Sequence, residues 1–221
     1  MLGNGAVGPK LLAPLAPRAN RGQGKGVNET MGPRFSTALA FANQIHNGQL
    51  RKGTKIPYVA HPLAVASLVI ENGGDEEAAI AALLHDAVED QGGRPMLSRI
   101  RERFGDSAAN VVEECTDAFV QPKPPWRERK IAYLAAIPHK SSTALLVSLA
   151  DKVHNARAIV SDYKRHGDQV WSRFNAGKDD QLWYYSALVR AFRSVGTHNQ
   201  LLEELECLVD ELQRLTAEGP D

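Results

Sequence analysis

The chain has 221 residues, 43% of them hydrophobic, which suffices for one ordinary domain with a packed core. Its 26 basic and 26 acidic residues cancel, which argues against bulk attraction to nucleic acid or to a membrane surface. No apolar run reaches the roughly 20 residues of a membrane span. Cys115 and Cys207 are too few for a disulfide framework, so we expect reduced thiols in a cytoplasmic protein.

The first 32 residues are rich in glycine and proline. Within them the run RGQGKG at 21–26 cannot bury enough apolar surface to order itself. We therefore expect a disordered tail at 1–32 and one domain at 33–221. Two alternatives stay open: a transit peptide, which glycine and proline oppose because they disfavour an amphipathic helix, and translation from Met31.

From Pro33 onward apolar residues recur at helical spacing, and no alternating strand pattern occurs. These features predict an all-α fold. A helix capped by Asp75 is expected to run through an acidic cluster to Gly92, and a proline-rich insertion is expected at 121–125. The other expected helices cover 33–46, 62–71, 95–104, 106–118, 126–136, 142–165, 179–195 and 198–216.

The segment AALLHDAVED at 81–90 is the most informative part of the sequence. In a helix, Asp86, Glu89 and Asp90 lie at i, i+3 and i+4 and share one face. Like charges on one face destabilise a helix, and acids near its C-terminus also oppose the macrodipole. A bound cation would remove this repulsion. The alternative is a solvated acidic patch without a function.

Two histidines and two aspartates suggest a divalent metal ion. His61 begins one predicted helix, and His85-Asp86 follow the apolar part of the next. Asp151 lies in LVSLADKVHNAR on a mostly buried helix, where a carboxylate needs a partner. Alone, His61 fits a capping or core histidine and Asp151 fits a surface acid. Together, the imidazoles and carboxylates suit Mn²⁺, Fe²⁺ or Zn²⁺.

The order His, His-Asp, Asp on successive helices resembles the HD phosphohydrolase superfamily. The finer resemblance is to the stand-alone small alarmone hydrolases of the RelA/SpoT homologue family, of the metazoan SpoT homologue type. It implies an HD-domain fold of roughly eight to ten helices. The similarity is weaker through WYYSALVRAF. The segments that carry the resemblance lie between residues 38 and about 158 and are AFANQIHNGQLRKGTKIPYVAHPLAVA, AALLHDAVED, ERFGDSAANVVEECTD, ERK and LVSLADKVHNAR.

This resemblance implies that the two histidines and two aspartates hold one Mn²⁺ and that Glu89 and Asp90 are the catalytic acids. A divalent ion activates water and polarises a phosphoryl oxygen, while a nearby carboxylate can act as base or orient the water. The implied reaction converts (p)ppGpp, or (p)ppApp as a second option, to pyrophosphate and GDP or GTP, or ADP or ATP. Because the bifunctional relatives continue into a synthetase domain and this sequence stops at Asp221, we expect hydrolysis only.

If the small-molecule partner is a nucleotide alarmone, the binding site needs cations for its phosphates and hydrogen-bonding groups for its nucleoside. Arg51 and Lys52 resemble the family's RKxG loop near the nucleotide, with a solvated basic loop as the alternative. Asn155 matches the family asparagine that contacts the nucleoside, and Arg157 follows it as a structural or ligand-facing residue. Tyr184 matches a family tyrosine near the phosphates or ribose, although core packing also explains it.

Other functions remain open at this point. The protein could be another HD-domain nucleotide phosphohydrolase, including an NADPH 2′-phosphatase, or a non-catalytic nucleotide sensor. The proline-rich loop leaves the choice of base open, and the leucines of the last helix could pack on the core or on a second copy. We interpret Tyr58 as a packing residue, and His46 and His154 as residues that bind no metal.

Overall fold

The computed structural model describes residues 30–120, 122–197 and 199–218, so residues 1–29 of the expected tail lie outside the described part. Within the described part the protein is all-α, as predicted, with one isolated β-bridge between Leu50 and Pro57. None of the described helices has the length and apolarity that crossing a bilayer needs. The helices are α1 (Pro33–Ile45), α2 (Ala60–Glu71), α3 (Glu76–Leu84), α4 (Ala87–Gln91), α5 (Arg94–Phe104), α6 (Asp106–Cys115), α7 (Trp126–Ala136), α8 (Ser142–His166), α9 (Lys178–Ser194) and α10 (Gln200–Glu218), with 3₁₀ helices at Ile137–His139 and Gly167–Arg173.

Helix α8 is the long central element, with 25 residues. Its N-terminus is capped by Ser141, whose hydroxyl accepts a hydrogen bond from the Ala144 amide at 3.2 Å. Helices α2, α3, α6, α9 and α10 all pack against it. Its buried side includes Val147 and Val153 and, between them, Asp151. Apolar packing therefore fixes the position of a carboxylate in the interior.

Helix α3 lies within the core. Asp75 caps it as predicted, since its carboxylate accepts from the Ala78 amide at 2.9 Å. Every residue from Ala78 to Leu84 is buried. A helix that is apolar all round belongs in a core, and α3 packs against α1, α2, α6 and α8. Its C-terminus consequently delivers His85 and Asp86 to the interior.

One continuous helix was predicted from Asp75 to Gly92, and this prediction was wrong. The helix is interrupted at His85 and Asp86, which lie between α3 and α4. The His85 ring binds the Ala82 carbonyl oxygen at 2.8 Å, and Asp86 has a loosened backbone with ψ of −8°. At this junction the His85 ring takes up the Ala82 carbonyl oxygen, and the backbone at Asp86 departs from regular helix geometry. The Asp90 amide still donates to the Asp86 carbonyl at 3.1 Å, so the i, i+4 relation of these acids is retained.

Helix α6 ends before the predicted Ala118, because the backbone becomes extended at Thr116. The next residue, Asp117, accepts hydrogen bonds at 2.7 Å from both Arg129 and Lys130 of α7. This ion-pair cluster is largely buried and ties the loop before α7 to the core. A cross-helix charge interaction thus overrides the helical periodicity of the local sequence.

The last helix, α10, buries its leucines against the rest of the same chain. Leu201, Leu205 and Leu212 are fully buried, and α10 packs on α8 and α9. Of the two arrangements that the sequence left open, the structure shows packing on the core. The helix also carries Glu204, which becomes important for the position of Arg157.

Gly93 offers a test of the α4–α5 junction. Its φ of 63° with ψ of −138° is a conformation that essentially only glycine adopts, and a Cβ there would lie 2.3 Å from the Phe119 carbonyl oxygen. We expect Gly93→Ala to lower the free energy of unfolding by about 2 kcal/mol or more, because strain and backbone overlap add. Urea unfolding would measure it. Gly177→Ala is the control, since a Cβ there meets nothing within 4 Å. Equal stability of Gly93→Ala and wild type would contradict the prediction.

Candidate active site

Four side chains from three parts of the chain converge on one point in the interior. His61 lies in the first turn of α2, His85 and Asp86 lie between α3 and α4, and Asp151 lies on α8. The His61 Nε2 atom is 3.3 Å from Asp86 Oδ2 and 3.1 Å from Asp151 Oδ1. The His85 Nε2 atom is 3.2 Å and 3.6 Å from the same two oxygens. The structure thus brings together the four residues that the sequence suggested as a metal site.

The geometry and charge of this cluster fit a divalent cation. His85 Nδ1 faces the Ala82 carbonyl, while its buried Nε2 lies near the two carboxylates without forming a hydrogen bond to any described residue, which is the usual arrangement of a metal-binding histidine. Burial opposes a charge on this ring, yet the Asp86 and Asp151 carboxylates raise the pKa of His85 well above its ordinary value. The two acids therefore require positive charge at this point, and a metal ion would supply it.

Each member of this cluster except His85 also contacts a further polar side chain. Lys152 was not among the predicted site residues, Tyr58 was interpreted as a packing residue, and His154 was interpreted as a residue that binds no metal. The signal for His154 was its i+3 spacing from Asp151 on one helix face. The contacts are Tyr58 Oη to Asp86 Oδ2 at 2.5 Å, Lys152 Nζ to Asp151 Oδ2 at 2.5 Å, and His154 Nδ1 to His61 Nδ1 at 2.7 Å.

His154 is suited to accept a hydrogen bond from His61. Its burial, followed by the charges of His61 and Arg51, lowers the pKa of His154 to about 4, so the ring is neutral near pH 7. Nδ1 of the neutral His154 ring can accept a hydrogen bond from the Nδ1–H group of His61. This hydrogen bond leaves His61 Nε2 directed toward the carboxylates. The contact therefore orients a candidate metal ligand.

Glu89 has the electrostatic environment of a proton-transfer group. Its Oε1 accepts from the Asp117 amide at 2.9 Å, and its Oε2 lies 3.1 Å from Lys123 Nζ in the proline-rich loop. Burial and the neighbouring Asp117 and Asp86 carboxylates raise the pKa of Glu89 to about 7. A carboxyl group with this pKa can accept and return a proton near neutral pH.

Asp90 is oriented by a short hydrogen-bond chain. Gln49 Nε2 donates to Asp90 Oδ2 at 2.9 Å. The Gln49 Oε1 atom contacts His46 Nδ1 at 2.8 Å and accepts from Gln91 Nε2 at 3.0 Å. Two donors on the amide oxygen fix which end of Gln49 faces the acid. Gln49 and His46 were not recognised in the sequence, because their partners lie on another helix.

Two adjoining cavities contain these groups. A polar cavity of about 210 Å³ is lined by the candidate metal residues, Glu89 and Asp90. A second cavity of about 590 Å³ continues from it and includes Lys52 and Tyr184 in its wall. The larger cavity is of the size that small-molecule ligands occupy. The residues lining both cavities are Arg51, Tyr58, His61, Lys130, Lys152 and Asn155.

The candidate nucleotide-binding residues divide into two groups. Arg51 donates to Asn155 Oδ1 at 2.8 Å, and Asn155 Nδ2 donates to Asp151 Oδ1 at 2.5 Å, which connects the RKxG-like loop to the His/Asp cluster. Arg157, in contrast, lines neither cavity and forms an ion pair with Glu204 of α10, with 2.7 Å between Nη2 and Oε2. The structure therefore does not bring Arg157 together with the other candidate nucleotide-binding residues, and its ion pair fits the structural role that the sequence also left open.

Tyr184 packs in the core through its ring and faces the larger cavity with its hydroxyl. Its ring is buried and makes a T-shaped contact with Trp126, with 5.7 Å between ring centroids. Its hydroxyl is buried in the wall of the larger cavity without a hydrogen-bond partner among the described residues. A buried hydroxyl without a partner is uncommon, and a ligand in the cavity would satisfy it.

Comparison with known proteins places this architecture in a family. A model of the HD domain matches residues 38–182. MESH1 of Xenopus tropicalis, named a guanosine-3′,5′-bis(diphosphate) 3′-pyrophosphohydrolase, is 39% identical over 169 residues, covering 75% of this chain and 87% of that protein. MESH1 of Homo sapiens, with the same descriptive name, is 34% identical over 174 residues, covering 77% and 90%.

Solved structures support the same placement. The structure of a metazoan SpoT orthologue, described as hydrolysing ppGpp, aligns with a TM-score of 0.68 and 27% identity over 84% of this chain and 97% of the other. A protein from Listeria monocytogenes EGD-e aligns with a TM-score of 0.62 and 30% identity over 70% and 99%. These alignments confirm the expected HD-type fold. The chain therefore belongs to the HD-domain family, in which its relatives include the MESH1 proteins.

Proposed function

We propose that this protein is a metal-dependent hydrolase that removes the 3′-diphosphate of (p)ppGpp as pyrophosphate, leaving GDP or GTP. The observation that carries the proposal is the placement of the acidic pair Glu89-Asp90 in the same small cavity as the His/Asp cluster. The MESH1 relatives, named as 3′-pyrophosphohydrolases of this nucleotide, support the choice of substrate. A purely binding protein would not require a carboxyl group with a pKa near 7 beside such a cluster.

His61, His85, Asp86 and Asp151 would hold the metal, for which we propose Mn²⁺. Nitrogen and carboxylate ligands in equal number suit this ion. When bound, it would offset the buried negative charge and provide a Lewis acid for phosphoryl chemistry.

The remaining steps are assigned to side chains of the two cavities. Glu89 accepts the proton of the attacking water, and Asp90, held by Gln49, orients that water. The water oxygen bonds to the phosphorus attached to the 3′-oxygen, the bond between that phosphorus and the 3′-oxygen breaks, and Glu89 returns its proton to the 3′-oxygen as it leaves. Lys130 and Lys152 line the same cavity and face the negative charge that develops on the oxygens of the departing pyrophosphate. The unpaired hydroxyl of Tyr184 donates a hydrogen bond to the ribose or the phosphates.

The nucleoside is assigned to the boundary between the two cavities. Arg51 stacks on the base, while the amide of Asn155 contacts the nucleoside. Lys52 follows in the same loop and meets phosphate as a point charge. We choose guanine as the base because the MESH1 relatives are named for a guanosine substrate. The product analysis below compares this choice directly with an adenine alarmone.

Product analysis tests the proposal. Protein with Mn²⁺ is incubated separately with ppGpp, ppApp and NADPH, and we expect pyrophosphate from ppGpp. Replacing the base by Glu89→Gln should lower kcat by roughly 10²–10⁴-fold, because general-base assistance is lost. Glu102→Gln is the matched control, since Glu102 is exposed and lines neither cavity. Orthophosphate from NADPH alone would indicate a nucleotide phosphatase, and binding of ppGpp without turnover would indicate a sensor.

Metal binding can be tested without activity. We expect Mn²⁺ at 100 times its Kd to increase the free energy of unfolding by about 2.7 kcal/mol, because it binds only the folded cluster. Asp151→Asn should lose this stabilisation, whereas Asp210→Asn, on the exposed side of α10, should retain it. Chemical unfolding with and without Mn²⁺ provides the measurement. Equal stabilisation of wild type and Asp151→Asn would remove Asp151 from the ligand set, and Asp86→Asn would then test the cluster.

The pH dependence of kcat follows from Glu89. Its base form is lost as pH falls through the raised pKa of about 7, so kcat should decrease below that pH. The Lys123 ammonium opposes this raised pKa. We therefore expect Lys123→Gln to move the acidic limb of the profile to higher pH. Lys55→Gln, an exposed cation in another loop, is the control. An unchanged limb in Lys123→Gln would show that Glu89 does not produce it.

A further inference from the structure

We propose that the end of the larger cavity far from the metal cluster is a second anion subsite, formed by Lys52, Arg165 and Arg173. Its ligand would be the 5′-phosphate groups of the nucleotide. This inference rests on the proposed function, since it assumes that the 3′-diphosphate lies at the metal cluster. It adds that the enzyme recognises both charged ends of its substrate.

The direction of the cavity follows helix α8. Asp151 lines only the smaller cavity, whereas Ile159 and Arg165 line only the larger one. At 1.5 Å of rise per residue, Asp151 and Arg165 are separated by about 21 Å along the helix axis. Long helical side chains lean toward the N-terminus, so the guanidinium of Arg165 extends back along the cavity. The cavity therefore continues well beyond the nucleoside contact at Asn155.

The far end is closed by contacts between the Arg51–Tyr58 loop and the segment after α8. Lys52 Nζ donates to Asn175 Oδ1 at 2.6 Å. A Cβ on Gly53 would lie 2.5 Å from Arg173 Cδ, so glycine permits the arginine to cross the loop closely. Arg173 also donates to Asp162, which lies three residues before Arg165 on α8, so these contacts bring Arg173 and the neighbouring Lys52 toward the end of the cavity that Arg165 lines.

The charge at this end is positive. Asp162 is the only acidic residue lining the larger cavity among the described residues, and it accepts from Arg173 at 2.8 Å. Lys52 is bonded to a neutral amide and not to an acid. The three cations of the subsite thus exceed its single acid, which favours an anionic ligand. Lysine and arginine are also the side chains that bind phosphate most commonly.

The proposed substrate carries phosphate on both sides of its ribose. With the 3′-diphosphate at the metal cluster and the nucleoside between Arg51 and Asn155, the 5′-phosphates extend away from the metal. The cations at the far end are the groups that meet them in that direction. A structural role alone, in which Arg173 and Lys52 only join two loops, does not explain why Arg165 lines the same space.

The test compares two substrates that differ only at the 5′ position. Pyrophosphate release with Mn²⁺ is measured for ppGpp and for guanosine 3′-diphosphate, which has a free 5′-hydroxyl. We expect wild type to prefer ppGpp in kcat/KM by tenfold or more, mainly through KM, since charge-assisted hydrogen bonds are lost with the 5′-phosphates. Arg165→Gln and Lys52→Gln should bring the ratio of the two kcat/KM values toward one. Lys55→Gln, exposed and outside both cavities, should retain the wild-type ratio.

The outcomes separate the subsite from the proposed function. Turnover of both substrates with equal kcat/KM in wild type, or an unchanged ratio in Arg165→Gln, would overturn the subsite and leave the hydrolase intact. If wild type releases pyrophosphate from neither compound, the proposed function fails. In that case calorimetric binding of the two compounds to wild type still decides the subsite, because equal affinities would overturn it.

Discussion

The confinement of two carboxylates at one point, with Asp151 buried and Asp86 half-buried, is the constraint on which this structure depends. Asp86 and Asp151 are brought within 3.3 Å of the same imidazole nitrogen of His61, in the interior of a helical protein. Burial raises the cost of their charge, yet the surrounding cations keep the pKa of each acid well below its ordinary value. The packing of α2, α3 and α8 must therefore be accurate, because each helix contributes a group that compensates the others.

A second pair of acids shows how environment separates two chemically identical groups. Burial would raise the pKa of Asp117, but Lys130 and then Arg129 lower it well below its ordinary value. Glu89 lies beside Asp117 and has a pKa of about 7, because burial and that neighbouring charge outweigh Lys123. Asp117 thus remains an ionised structural anchor while Glu89 can exchange a proton. Such a division between two nearby carboxyl groups is typical of acid–base sites.

The loop between α6 and α7 contributes more than a connection. Lys123 reaches the acidic pair, and Trp126, where the loop enters α7, contacts the ring of Tyr184 in the larger cavity. The sequence predicted a proline-rich insertion here, and this loop left the choice of base open. The loop therefore influences the electrostatics of Glu89 through Lys123, and its junction with α7 contributes Trp126 to the wall of the larger cavity.

The sequence by itself determined the all-α class, the Asp75 cap and the residue types of the His/Asp cluster, because helical periodicity, capping and the HD motif are local patterns. It did not determine the interruption at His85, the contacts of Tyr58 and His154, or the pairing of Arg157 with Glu204. Nor did it reveal that Lys52 meets Asn175 and that Arg173 crosses Gly53 to close the cavity. Only the tertiary structure decided these features, since each is a contact between segments whose local sequences carry no information about one another.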